Sequence, residues 1–126
     1  MKNTIVVTGG AGFVGSNLVI FLLRNTKQNI ISLDNYSSGL KKNQIKHKRV
    51  KYIKGNTKNI SLILNSKIRK INAIFHFGEF SRIYQSFLNM DKCIDSNTVG
   101  SHAVFNFCLK NKIKLIYSCL LYTSDA

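Results

Sequence analysis

The sequence predicts an α/β chain in which short parallel strands alternate with helices. Three observations carry that expectation. A β-branched run, Thr4-Ile5-Val6-Val7-Thr8, meets a cluster of glycines and then an apolar helical pattern. Apolar runs recur at Asn29–Leu33, Val50–Ile53, Asn72–His76 and Lys112–Tyr117, separated by helical or polar stretches. An acid, Asp34, closes the second run.

Taken in order, Asn3–Thr8 is apolar at alternate and intervening positions, as a strand buried on both faces requires. Phe13–Arg24 reads as the first helix, with Phe13, Val14, Leu18, Phe21 and Leu22 expected to face the sheet. Asn25–Asn29 turns the chain back into the second strand, Asn29–Leu33. Asp34-Asn35-Tyr36-Ser37-Ser38-Gly39 is a loop by composition. The third strand, Val50–Ile53, leads into Gly55-Asn56-Thr57-Lys58-Asn59 and a helix from Ile60 to near Lys70. Asn72–His76 is the fourth strand. A long helix is expected from about Ser86 to Asn111, with Val104, Phe105, Phe107, Cys108 and Leu109 on its core side. Lys112–Tyr117 is the fifth strand.

The chemistry concentrates at the first turn. Gly9 can adopt the backbone conformation of a tight turn. Gly12 presents no Cβ to an approaching pyrophosphate, and Gly15 lets the helix pack closely on the strand. The helix start then aims N–H groups and the positive end of its dipole at a dianion. Asp34 stands roughly 20 residues past the turn, the spacing of the dinucleotide fingerprint. A carboxylate there accepts hydrogen bonds from the adenosine ribose and repels a 2′-phosphate, so NAD is expected rather than NADP.

T-G-G-A-G-F-V-G-S, L-D-N-Y-S-S-G, I-F-H-F-G-E and S-N-T-V-G-S follow one another in order from Lys2 to about Ser118. As a set they resemble the extended short-chain dehydrogenase/reductase family, and within it the NAD-dependent nucleotide-sugar epimerases and dehydratases. The resemblance implies a Rossmann-type doubly wound parallel sheet of order 3-2-1-4-5, truncated before the later strands and the substrate domain. Relatives are much longer, so the chain is expected to be the front part of one. The implied cofactor-binding residues are Gly9, Gly12, Phe13, Val14, Gly15, Asp34, Asn35, Ser38, Asn56, Thr57, Phe77, Gly78 and Asn97. Asn35 and Ser38 belong to the loop that cups the adenosine ribose. Ser38 is equally readable as a turn residue that only connects. Asn56 stands where relatives carry an acid for the adenine amino group, and its amide oxygen can still accept. Thr57 would lie against the adenine plane. Phe77 and Gly78 would pass beside the pyrophosphate and nicotinamide ribose, and Asn97 would anchor the long helix near the cofactor. Arg82 could meet a substrate phosphate or be solvated.

His76, at a strand end with no acid or nucleophile beside it in sequence, is expected to be structural. No catalytic residue is assigned. Relatives follow the fifth strand with a serine-rich segment and then a Y-x-x-x-K pair, whose tyrosine is the general base. Here the serine position falls on Leu120, and no Y-x-x-x-K occurs in the 126 residues. Cys119–Ala126 departs from the family pattern. It matches the translation of a transposon-end sequencing adapter, so residues 1–118 are expected to form the NAD-binding domain and 119–126 a non-native tail.

Charge is lopsided: 19 Lys and Arg against 5 Asp and Glu give +14. The basic residues are spread through the chain. The densest run, Lys41–Arg49, is assigned to a surface connection, so nucleic-acid binding is not the expected role. Three cysteines, Cys93, Cys108 and Cys119, form no C-x-x-C pair, and no secretory signal precedes them. Free thiols in a reducing cytoplasm are expected. No apolar stretch reaches the ~18 residues a membrane helix needs, and no metal-ligand pattern is present.

The parent protein is therefore expected to oxidise a nucleotide sugar transiently with bound NAD and return the hydride after epimerisation or elimination. Relatives often form homodimers through long helices of this region. The 126-residue chain itself is expected to be inactive. Two other classes remain: a catalytically dead NAD-binding module, and a basic interaction protein using the Rossmann scaffold, which would show steeply salt-dependent RNA binding. A third outcome, a fragment that does not fold stably, follows from its expected uncovered edge strand.

Overall fold

A computed structural model of the chain describes residues 2–35, 41–77 and 99–117. Five parallel strands form one sheet: β1 (Thr4–Thr8), β2 (Asn29–Asp34), β3 (Val50–Lys54), β4 (Ile71–His76) and β5 (Lys114–Tyr117). Their order is β3-β2-β1-β4-β5, as the resemblance implies. The register runs Thr4 to Asn29 and Thr8 to Leu33 between β1 and β2, and Ile5 to Ala73 and Thr8 to His76 between β1 and β4. Every residue of β1 is buried, which is what a central parallel strand with both faces covered demands.

Helix α1 (Phe13–Asn25) covers one face. There Ile5, Val7, Ile30, Val19 and Leu22 form a cluster, with Leu18, Leu23 and Phe75 against it. Helices α2 (Ile60–Leu64) and α3 (Ser101–Asn111) cover the other. Val6, Ile31, Leu33, Ile60, Leu64, Ile74, Val104 and Phe107 pack together there. Alternate residues of one strand thus feed opposite cores, Ile5 and Val7 to one and Val6 to the other.

The helix faces match the expected ones in part: Leu18 and Leu22 of α1 and Val104, Phe107 and Cys108 of α3 pack in the core, and the other expected residues do not. In α1, Gly15, Val19 and Leu22 are buried, whereas Phe13 is 82% exposed, Phe21 59% and Val14 40%. The reason is backbone contact. A Cβ on Gly15 would stand 2.0 Å from Gly9 O, so α1 meets the first turn through Gly15, and Val19 and Leu22 follow on that stripe. In α3, Val104, Phe107 and Cys108 are buried, but Leu109 is 81% exposed and Phe105 lies largely outside the core. Phe105 makes edge contacts instead with the rings of His76 and Tyr117, 6.5 and 5.2 Å away between centroids.

Three other boundaries move. The helix expected from Ile60 to Lys70 is a short α-helix between 3-10 turns at Thr57–Asn59 and Asn65–Lys70. Asn65 and Ser66, poor residues for a helix interior, stand where it tightens. Lys112 is not in β5. It adopts a left-handed conformation (φ 55°, ψ 44°) and ends α3, while Ile113 N–H reaches back to Cys108 O at 2.9 Å. Of the long helix expected from about Ser86 to Asn111, residues 99–111 are described, with Ser101–Asn111 as α-helix; 86–98 lie outside the described residues. So do Ser38, Gly78, Arg82, Cys93, Asn97, Leu120 and the segment 119–126.

The basic run between β2 and β3 does internal work. The Arg49 guanidinium donates to Leu23 O and Gln28 O at 2.7 Å and to Thr26 O at 3.1 Å. It thereby ties the end of α1 and the following turn to the start of β3.

Candidate dinucleotide-binding site

The carboxyl ends of β1, β2, β3 and β4 converge, and the residues expected to bind a cofactor follow them. β1 runs into the turn at Gly9, whose φ of 74° is one that L side chains rarely adopt. Gly9 N–H donates to Leu33 O at 2.8 Å, and Gly12 N–H donates back to Gly9 O at 3.0 Å. Gly12 then caps α1 with extended backbone (φ −81°, ψ 178°) and no side-chain hydrogen bond. No acid stands in the first turn of α1. Its N-cap residue thus supplies no side chain to cap the leading amides.

The glycines divide the labour. A Cβ on Gly10 would meet Ser32 Oγ, and one on Gly15 would meet the Gly9 carbonyl. Both are packing glycines. On Gly12 a Cβ would meet only Gly9 O, at 3.3 Å, among the described residues, and otherwise opens outward. Gly12 is the position whose missing Cβ leaves room for a ligand.

Asp34, the last residue of β2, is buried, and its Oδ2 accepts from Ala11 N–H at 3.0 Å. One carboxylate therefore braces the glycine turn. Asn35 follows it at the mouth of the loop. Asn43, which sequence reasoning passed over inside the basic run, donates to Ala11 O at 2.9 Å and holds the same residue from the other side. An asparagine 32 residues from its partner leaves no local pattern to read.

At the end of β3, Gly55 N–H donates to Asp34 O, and Asn56 Oδ1 accepts from Lys58 N–H at 3.0 Å, capping the Thr57–Asn59 turn. Thr57 is buried. Beyond β4, Phe77 N–H donates to both Thr8 Oγ1 (2.8 Å) and Thr8 O (3.2 Å). Thr8 Oγ1 is also 2.7 Å from His76 Nδ1, and His76 Nε2 is 3.0 Å from Ser101 Oγ. His76 is wholly buried and stacks on Tyr117, so its ring links β1, β4, β5 and α3. That environment is structural, and the Thr8 and Ser101 hydroxyls were the unread half of it.

The structure therefore gathers Gly9, Gly12, Phe13, Val14, Gly15, Asp34, Asn35, Asn56, Thr57 and Phe77 at one end of the sheet, where open α/β sheets bind their ligands. The set fits a dinucleotide: a cradle open at Gly12, an uncapped helix start and a carboxylate beside it. Residues 5–122 match the model of the NAD dependent epimerase/dehydratase family. The chain belongs to that family. NAD is its cofactor.

A dTDP-D-glucose 4,6-dehydratase of Dictyostelium discoideum is 33% identical over 116 residues, covering 87% of this chain and 27% of the relative. Among solved structures, an epimerase of Methanothermobacter thermautotrophicus superposes with a TM-score of 0.81 at 26% identity, over 92% of this chain and 34% of its own. The UDP-glucose 4-epimerase of Thermotoga maritima, solved with UDP-glucose, superposes with a TM-score of 0.78 at 25% identity, over 90% of this chain and 37% of its own. The chain thus spans about a third of the length of these relatives. Among the described residues, no helix is long and apolar enough to cross a membrane.

Proposed function

We propose that this chain is the NAD-binding part of an enzyme that epimerises or dehydrates a nucleoside-diphosphate sugar. The observation that carries the reading is the Asp34 carboxylate, bonded to Ala11 N–H, beside the uncapped start of α1 and the open Cβ position of Gly12. The amides of Phe13 and Val14 and the backbone around Gly9, Gly12 and Gly15 hold the pyrophosphate. Asp34, with Asn35 and Ser38, holds the adenosine ribose. Asn56 and Thr57 would bound the adenine and Phe77 would border the nicotinamide half; Gly78 and Asn97 are assigned to that half by the family resemblance. Bound NAD supplies a hydride acceptor and donor for a sugar carbon.

The chain's own residues bind and orient; they do not move the proton. Leu120 cannot hydrogen-bond a sugar hydroxyl, and no Y-x-x-x-K pair is present. The relatives named for dTDP-glucose and UDP-glucose support a nucleoside-diphosphate sugar as the substrate class. Residues 1–118 form the cofactor half on this reading, and Cys119–Ala126 contributes nothing to it. Calorimetric titration of the folded chain with NAD tests the assignment. One-site binding without turnover of UDP-glucose is expected; a folded chain that takes up no NAD would overturn it.

A further inference from the structure

The opposite end of the sheet carries a second feature that the dinucleotide site does not use. The first residues of β1, β2 and β3 floor a pocket of about 240 Å³. Its rim holds Lys48, Arg49, Lys51, Lys67 and Lys70. The pocket is lined by no acid. Asp34 is the only acid among the described residues, and it closes β2 at the far end, five residues from Asn29 and so roughly 16 Å away. Among the described residues, the five cations therefore have no carboxylate beside them to offset their charge. Arg49 is also fixed: its three bonds to the carbonyls of Leu23, Thr26 and Gln28 hold the guanidinium at the rim, while the four lysines carry no such bonds among the described residues. Like charges gathered this way repel one another, and an anion between them relieves that cost.

We propose that this amino-terminal end of the sheet is a binding site for a compact oligophosphate anion. A volume of about 240 Å³ lies below the ~300–1,000 Å³ of pockets that enclose drug-sized ligands. It suits a bare phosphate chain better than a nucleotide. Lysine ammoniums, each a compact point charge with three donors, meet phosphate oxygens without demanding one fixed geometry. The site lies at the other end of the strands from the glycine turn, and the proposal stands independently of NAD binding there.

Sodium triphosphate is the probe, titrated into the full chain by calorimetry at low ionic strength, with circular dichroism as a check on folding. One-site binding is expected. Lys67→Gln/Lys70→Gln and Lys48→Gln/Lys51→Gln should each weaken it by roughly tenfold or more, as expected when hydrogen bonds to a charged ligand are lost. A control that removes the same charge elsewhere, Lys110→Gln/Lys112→Gln, should change it little. Equal weakening in the control would show diffuse attraction to net charge and overturn the site. So would the absence of binding to a folded chain. Single-stranded RNA that binds more tightly than triphosphate, and weakens equally in all three variants, would make the surface a general nucleic-acid binder and also overturn it.

Discussion

At the scale of single residues, the first turn separates glycines that pack from the one that makes room. A Cβ at Gly15 would collide with Gly9 O at 2.0 Å and Gly9 C at 2.7 Å, both backbone atoms that cannot swing aside. Gly15→Ala is expected to cost several kcal/mol or prevent folding, the upper range for overpacking at a backbone contact. Gly12→Ala fits its extended backbone, so chemical denaturation should show a change under about 1 kcal/mol while NAD binding falls sharply. Equal effects of the two substitutions would contradict this division. Ser32 poses the converse case. Its Oγ is buried against Gly10 with no hydrogen-bond partner among the described residues. Ser32→Ala removes an unsatisfied hydroxyl and is expected to leave stability unchanged or raise it by about 1 kcal/mol, measured by urea unfolding. Cys108 is buried too, and burial pushes its thiol pKa up to about 11. The folded chain therefore holds this proton more tightly than the unfolded chain. That holding contributes no pH dependence below pH 9, and stability falls as pH rises from about 9 through 11. Cys108 should resist iodoacetamide in the native chain at pH 8 and react once unfolded, which mass spectrometry of the alkylated peptide would read directly.

At the scale of elements, strands were easier to read than helix faces. β1 is apolar at its centre, Ile5-Val6-Val7, and buried throughout, so its composition identifies it as a central strand. Helix α1 has apolar side chains around most of its circumference, F-V-G-S-N-L-V-I-F-L-L, so hydrophobic period alone does not set its phase. Gly15 sets it, by allowing contact with the Gly9 carbonyl, and this turns Phe13, Val14 and Phe21 outward. Helix α3 likewise carries apolar side chains around much of its circumference, A-V-F and F-C-L, and Phe105 and Leu109 fall on its exposed side. The end of α3 was obscured because a lysine, not a glycine, takes the left-handed position. Lys112→Gly should relieve that backbone strain and stabilise the chain by about 0.5–1 kcal/mol in urea unfolding. A loss of stability would mean the Lys112 side chain holds something that outweighs its φ.

At the scale of the whole molecule, the topology was legible, and with it the end of the sheet at which the candidate residues gather. The glycine turn and Asp34 identify strand, turn, helix and strand, and parallel right-handed crossovers then leave few arrangements other than the observed order. The long-range ties were not legible. Asn43 to Ala11, Thr8 to His76 and Ser101 to His76 join residues 32, 68 and 25 apart, and a polar residue in sequence does not name its partner. The large positive charge was read as spread along the chain. Within that spread, the fold brings the sequence-adjacent Lys48, Arg49 and Lys51 together with Lys67 and Lys70 around one pocket, a pairing of two segments that the sequence does not display. The two ends of the sheet thus differ in chemistry: one presents amides and a carboxylate, the other five cations around a polar and apolar floor.

The measurement that bears most directly on the NAD assignment is a calorimetric comparison of NAD and NADP binding to the unaltered chain and to Asp34→Ala. The carboxylate at the end of β2 should make NAD the tighter ligand. Its removal should weaken NAD by roughly tenfold or more and narrow or erase the preference over NADP. An Asp34→Ala chain that stays folded and keeps both the affinity and the preference would contradict the role given to Asp34, and with it the dinucleotide reading of the glycine turn.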